Sequence, residues 1–406
     1  AVTAMAACTA LGILGVLPSK QVYAGLSNST VVLFGGMFVI GAAMFKTGLA
    51  EAIGVAVVKK AGTNEIPLMA AIMIVTIVLS SVSSNTGTVA CLMPVIIGIC
   101  SVAKLPASKQ LMPLAIAANV GGTITMIGTP PNVIVTGALS AAGLPTFGFF
   151  EFAFIGVPLS IIILVYTLFV GRHFIPDKSS GAMDEEAIKA AKEEAGASDD
   201  NAPKSKTKMW ISGLILIGVV VCMALDLKTV PLHTAAVTGA ILCVVTGCLK
   251  EKEAYAGIDW VTIFLFAGML SVASAMEKTG AGKLIADTVV SMMGTNPNPY
   301  VLTAVLFLIS NVLTQFMSNT ASAALLAPIG ISIAQSIGAD PKPVLMALGI
   351  AASCAFATPM ATPPNTLVLG PGNFSFNDYA KVGVPMCVIS LIVCLVVIPI
   401  VWPFGM

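Results

Sequence analysis

The stretch "YAGLSNSTVVLFGGM" begins at Tyr23, and "YAGIDWVTIFLFAGM" begins at Tyr255. They match at an offset of 232, which "FKTG" at Phe45 and "EKTG" at Glu277 keep. "SNTG" at Ser84 and "SNTA" at Ser318 lie 234 apart, and "GTPPN" at Gly128 and "ATPPN" at Ala361 lie 233 apart. Four matched blocks in one order and at near-constant spacing make the chain an internal duplication, which decides how everything else is read.

The material around these blocks is apolar. Of 406 residues, 57% are hydrophobic and 10% charged, against roughly 25% charged in an average soluble domain. Mean hydropathy is +0.98. That charge cannot cover the surface of a soluble protein of this length. A net charge of +1 offers polyanions no field, which excludes a nucleic-acid partner. The composition is that of a polytopic membrane protein. The nine cysteines show no CxxC pair and read as small apolar residues rather than a disulfide or zinc framework. His173 and His233 fall near helix ends and read as structural. No nucleophile–base pair or phosphate loop supports an enzyme.

Segments long enough to span a bilayer, about 20 residues each, are expected near 2–17, 30–46, 110–140, 151–171, 209–226, 231–249, 260–276, 342–370 and 379–403. Two more apolar stretches, 66–102 and 299–337, are interrupted by Ser-Asn-Thr and read as re-entrant hairpins with legs of about 15 residues, too short to span singly. Thr-Pro-Pro-Asn interrupts 110–140 and 342–370. A double proline removes two backbone donors and clashes with the preceding turn, so these helices break. Residues 172–208 carry seven basic and eight acidic side chains and read as a polar linker, with a surface helix over 183–195 held by Glu185 and Lys189. The linker divides a first repeat, 1–171, from a second, 209–406. Helix 209–226 has no partner in the first repeat, so a further helix is expected upstream of Ala1.

Five membrane crossings separate helix 2–17 from its partner 231–249. An odd number sets the repeats in opposite orientations, giving two inverted-topology repeats with hairpins and broken helices, an architecture of secondary transporters. With 172–208 in the cytoplasm, fifteen of the twenty Lys and Arg residues fall inside, as the positive-inside rule requires. The segments 47–61 and 278–293 read as interfacial arms. Lys46 and Lys278, in the matched KTG blocks, read as interface anchors.

None of the acids or bases falls within the four interrupted loops. Irregular backbone inside a membrane is tolerated only where it is buried in protein or lines a cavity. Its free N–H groups attract anions and its free carbonyls hold small hard cations. Such loops can bind an anion and a cation together, the cation offsetting the cost of desolvating the anion. The acids all fall near helix ends, which disfavours a proton relay.

With "SSNTG" ending at Gly87, "SNTAS" at 318–322 and the two TPPN loops, the chain resembles the divalent anion–sodium symporters, the INDY-type carboxylate transporters, over essentially its whole length. The resemblance implies Na⁺-coupled import of a di- or tricarboxylate by an elevator mechanism, in a homodimer embedded in the bilayer of a bacterial inner membrane, with Na⁺ as coupling ion and no organic cofactor. It implies substrate contacts at Asn85, Thr86, Thr129, Asn319, Thr320, Thr362 and Pro363. A first sodium site would use Ser80, Ser84, Asn85 and Gly128, and a second Thr314, Met317, Asn319 and Ala361. Gly87 and Met317 depart from the family pattern beside the two motifs. A carboxylate exchanger without Na⁺ coupling, or a carrier of sulfate or another divalent anion, is the alternative. With Arg172 the only arginine, substrate choice must rest on amides, hydroxyls and backbone.

Overall fold

The computed structural model describes residues 1–62, 64–178, 186, 188–189, 205–225, 229–293 and 298–404. The expected linker helix over 183–195, with Glu185, lies largely outside these residues. The described residues form helices and connections only, with no strand among them.

The first repeat runs α1 (Val2–Ile13), α2 (Ser29–Lys46), α3 (Leu49–Ala61), α4 (Glu65–Ser80), α5 (Asn85–Ala103), α6 (Ser108–Gly121), α7 (Pro130–Ala141) and α8 (Ala153–Phe169). After α9 (Lys206–Ala224) the second repeats the order. It runs α10 (Leu232–Val245), α11 (Trp260–Thr279), α12 (Ala281–Met293), α13 (Pro299–Thr314), α14 (Asn319–Ser336), α15 (Pro341–Ser353), α16 (Pro363–Leu369) and α17 (Phe376–Val401). Each expected interruption is a real break. The hairpin helices meet at 81–84 and 315–318, and the broken helices are open over 122–129 and 354–362.

Two expectations need correction. The first and sixth spans were drawn too long: α1 stops at Ile13 and α10 at Val245, each followed by a glycine at positive φ, Gly15 (+69°) and Gly247 (+71°), a conformation that ends a helix and suits glycine. The hairpins' return legs are 19 and 18 residues, longer than about 15. Length alone would make α5 a full span, yet its first residue lies against Gly122 and Gly128 of the α6–α7 break.

Polar contacts fix which ends meet. At one end, Lys109 at the start of α6 donates to Arg172 O (2.7 Å), just past α8. Lys178 pairs at 2.8 Å with Asp378 at the start of α17, and Gln110 donates to Glu65 O at the base of the first hairpin. At the other end, Lys342 at the start of α15 pairs at 2.8 Å with Glu151, just before α8. Trp402 Nε1, past the end of α17, donates to the same carboxylate at 3.3 Å, and Asp340 N bonds Phe404 O. So α8 and α17 run antiparallel, and the two hairpins have their bases at opposite ends of the molecule.

Small residues set the close approaches. A Cβ on Gly36 would lie 2.8 Å from the Ala236 carbonyl carbon, one on Gly268 3.0 Å from Ala4, and one on Gly137 2.2 Å from the Phe266 ring. These glycines bring α2 onto α10, α11 onto α1, and α7 onto α11. The Lys46 ammonium lies 3.4 Å from Glu253 and Lys278 Nζ bonds Gln21 Oε1, so both KTG lysines end on a polar partner.

Candidate substrate and cation site

Four helices begin at the centre of the fold, and each begins at a break. The helices α5 and α14 start at the SNT tips, with Ser84 and Ser318 as N-caps accepting from Gly87 N and Ala321 N, each at 3.2 Å. The caps take one N–H each and leave the tip N–H groups of the first turn facing outward. The helices α7 and α16 start at double prolines, with Thr129 and Thr362 as N-caps in extended backbone. Proline carries no N–H, so at these two starts the threonine hydroxyl, not the backbone, is the available donor. Neither threonine side chain caps its own helix.

All four starts line one cavity of about 370 Å³, within the range of small-molecule sites. Of the expected residues, Ser84, Asn85, Thr86, Gly128, Thr129, Asn319, Thr320, Ala361, Thr362 and Pro363 face it. Ser80, Thr314 and Met317 do not line it; Ser80 and Thr314 are fully buried behind the tips.

Behind each tip, oxygen atoms converge. The Asn85 amide lies 3.1 Å from Ala118 O and 3.3 Å from Gly128 O. With its nitrogen turned toward them it donates to both carbonyls. In the second half the Thr314 hydroxyl lies 2.6 Å from Asn319 Oδ1 and 2.8 Å from Ala352 O. A hydroxyl has one proton, so one of these contacts lacks one. These oxygen sets suit a small hard cation. Ala118 and Ala352 were not read from the sequence; they occupy matched places, 234 apart, near the ends of α6 and α15, and Ala118 O also accepts from Gly122 N at 3.2 Å.

The asparagine of each TPPN loop has a different task. Asn132 Nδ2 donates to Gly122 O (3.3 Å) and Thr125 O (2.9 Å), and Asn365 Nδ2 to Ala355 O and Thr358 O, both at 2.9 Å. Each amide ties its open loop to itself, satisfying carbonyls that could not stay bare in an apolar interior. Asn119 crosses between the repeats, donating to Thr362 Oγ1 at 3.2 Å and Asn365 Oδ1 at 3.0 Å, and it also lines the cavity.

The cavity's outer wall is apolar: Phe34, Met37, Phe38 and Phe45 of α2 with Val261 and Leu265 of α11. Asp259 alone among the lining residues is ionisable. It caps α11, accepting from Thr262 N at 3.0 Å and from the Thr262 hydroxyl. Sequence reading placed it at a helix end but not on the cavity; its being the acid within the second "YAGIDW" block was the only signal. The wall runs along α2 from Phe34 to Phe45 and uses the start of α11, reaching the side of Lys46 and Glu253 at Phe45, Gly257 and Asp259.

Residues 1–342 match the family described as citrate transporter, and 296–405 match the sodium:sulfate symporter transmembrane region. An uncharacterized transporter of Haemophilus influenzae is 31% identical over 94% of this chain and 82% of its own length. The sodium-dependent dicarboxylate transporter SdcS of Staphylococcus saprophyticus is 26% identical over 94% and 78%. Among solved structures, the YdaH transporter of Alcanivorax borkumensis, described as having an unusual topology, superposes with a TM-score of 0.68 at 14% identity, covering 96% of this chain and 89% of its own. MtrF of Neisseria gonorrhoeae, described among antimetabolite efflux pumps, gives 0.65 at 16%, covering 97% and 84%. These two bear on the fold alone.

Proposed function

We propose, from the premise that the chain belongs to the divalent anion–sodium symporter family and is therefore an integral membrane transporter, that it imports a di- or tricarboxylate together with Na⁺. The observation that carries this reading is the junction of four helix starts on one cavity lined by no basic side chain, with an oxygen cluster behind each SNT tip. An anion there is held by N–H groups, by the amides of Asn85 and Asn319 and by the hydroxyls of Thr86, Thr129, Thr320 and Thr362, with Pro363 beside them. Partial positive charge at helix starts favours it, but desolvating a dianion costs far more than such partial charges return. A cation at Ser84, Asn85, Ala118 and Gly128, with Ser80 behind, and another at Thr314, Asn319, Ala352, Ala361 and the Met317 carbonyl, supply the missing charge. Anion and cation then bind best together, which is symport.

The cavity wall extends toward the Lys46 end. With that end in the cytoplasm, as the charge count favours, this is the inward-facing state. The hairpins and broken helices move as one unit against α1, α2, α10 and α11, the arms α3 and α12 absorbing the motion, in each protomer of a homodimer in the bacterial inner membrane. The first repeat, linker and second repeat keep the boundaries given above, in inverted orientation.

Uptake of labelled succinate and citrate into proteoliposomes tests the reading, under an inward Na⁺ gradient and under an equal K⁺ gradient. Uptake with Na⁺ alone is expected, abolished by Asn85→Ala or Asn319→Ala at wild-type abundance. Uptake that ignores Na⁺ but needs carboxylate inside would make the protein an exchanger; the sulfate match over 296–405 makes labelled sulfate the third substrate to run.

A further inference from the structure

A second cavity, of about 390 Å³, lies between the arm α3 and the return leg α5, away from the substrate site. Val58 and Gly62 line it from the arm side, and Val95, Gly98, Ile99 and Val102 from α5, with Lys59 at its rim. Its cause is a divergence of two helices. Near their crossing, Gly54 meets Leu92 so closely that an added Cβ would stand 2.1 Å from Leu92 Cδ2. Farther along, an added Cβ on Gly98 would meet nothing within 4 Å. In the second repeat Ser332 stands where Gly98 stands, 234 residues on, and lies against Gly282 at the start of the arm α12.

Its rim is basic. Lys59, Lys60 and Lys104 are exposed, and none makes an ion pair among the described residues. Glu65, at the start of α4, makes no ion pair with any of the three. Val102, two residues before Lys104, is 83% exposed and carries the apolar surface out of the groove. This is the end that also holds Lys109, Arg172 and Lys178.

We propose that the groove binds one anionic phospholipid of the surrounding bilayer, its phosphate on Lys59, Lys60 and Lys104 and an acyl chain along Val58, Val95, Ile99 and Val102. Two arguments name this occupant. The slot is apolar and continuous with surface that acyl chains cover in a membrane, and the three unpaired cations stand where headgroups lie. Phosphodiester charge at the cytoplasmic leaflet is attracted by basic residues at that level. A lipid there wedges the arm against the first hairpin and so favours the conformation described above. The proposal needs the bilayer but not the identity of the transported anion.

The test uses the full chain purified in detergent, with native mass spectrometry for bound lipid and thermal melting for stability. The probes are dioleoyl phosphatidylglycerol, dioleoyl phosphatidylcholine and glycerol 3-phosphate. Wild type is expected to retain phosphatidylglycerol over phosphatidylcholine and to melt higher with it, while glycerol 3-phosphate does nothing. The substitutions Lys59→Gln, Lys60→Gln and Lys104→Gln each lower the preference, by about fivefold for each lysine. Gly98→Phe fills the slot and removes bound lipid of either headgroup. Val102→Asp, at an exposed residue, does the same by repelling phosphate, and decides the matter if Gly98→Phe fails to fold. An unchanged preference in the triple lysine variant, lipid retained by Val102→Asp, or an equal shift with glycerol 3-phosphate would each overturn the proposal.

Discussion

In the second repeat Gln315 stands where the first has Ser81, and Asn311 where it has Ile77. Around them the second hairpin is stitched to its break. Asn311 Nδ2 donates to Ala351 O and Cys354 O, at 3.0 and 2.9 Å. Gln315 Nε2 donates to Asn311 O at 3.0 Å, and its Oε1 accepts from Ala357 N at 2.9 Å. Ser310 donates to Leu348 O. The first repeat keeps one cross-tie that both share, Thr125 to Ser81 O, matched by Thr358 to Gln315 O. Elsewhere its buried polar atoms Thr76 Oγ1, Ser80 Oγ and Asn132 Oδ1 have no hydrogen-bond partner among the described residues. Their matched atoms in Ser310, Thr314 and Asn365 all have one. The duplication preserved the ligands and let the fastenings drift. The second oxygen cluster is held by the Thr314 hydroxyl between Asn319 and Ala352; in the first, the matched Ser80 hydroxyl has no such bond among the described residues.

The largest effect should come from cutting those fastenings. Gln315→Ala leaves the Ala357 N–H and the Asn311 carbonyl without the partners Gln315 gives them, at about 1–3 kcal/mol for each group left unmet. Ser81→Ala removes only a local bond to Val78 O and should cost under about 0.5 kcal/mol. Denaturation in detergent measures both; equal losses would erase the difference between the repeats. Next come the loop asparagines. Asn365→Ala removes the bonds to two loop carbonyls and one of the two bonds Asn119 makes across the repeats, whereas Asn132→Ala removes two loop bonds only, and Thr125 O keeps Gly128 N. Uptake should fall by roughly tenfold more for the former, the equivalent of one hydrogen bond. A larger loss for Asn132→Ala would reverse the comparison.

The duplicated blocks, the hairpins and the helix breaks were legible because each depends on local chemistry: apolar length, a double proline, a polar tip. Helix starts at Asn85 and Asn319 follow directly from Ser at N-cap. What stayed hidden depends on tertiary placement. Asp259 caps a helix whatever surrounds it, and only the packing of α11 turns that cap toward the cavity. The carbonyls of Ala118 and Ala352 have no side-chain signature at all. Asn119 and Gln315 did leave one, as lone amides in apolar surroundings, but a single polar residue there does not name its partner. The family resemblance implies ligation by Ser80 and Thr314; the structure buries both behind the tips, where whether each hydroxyl has a partner is a question of packing.

That question separates the repeats at a smaller scale. Thr314→Val removes the hydroxyl between Asn319 Oδ1 and Ala352 O, so both the protein's stability and its response to Na⁺ should weaken, each by about 1–2 kcal/mol. Ser80→Ala removes an unpartnered hydroxyl. It should leave cation-free stability unchanged or slightly raised, while the Na⁺ concentration for half-maximal uptake rises severalfold, about 1 kcal/mol of lost ligation. Melting curves with and without Na⁺ separate the two. A stability loss on Ser80→Ala in the absence of Na⁺ would mean that its hydroxyl already has a partner and that the first cluster is as complete as the second.

The smallest contrast lies at the cavity surface. Thr362 Oγ1 accepts from Asn119, so its proton is oriented before substrate binds. Thr129 has no such partner and must lose hydroxyl freedom when it donates. Thr362→Val should therefore raise the substrate KM more than Thr129→Val, by about threefold, half of a typical neutral hydrogen bond. Adding Asn119→Ala should equalise the two, since it removes the orientation while leaving both hydroxyls in place. If Thr129→Val and Thr362→Val differ by the same factor in the Asn119→Ala background, pre-orientation is not what distinguishes them. The difference would then lie in where each threonine meets the anion.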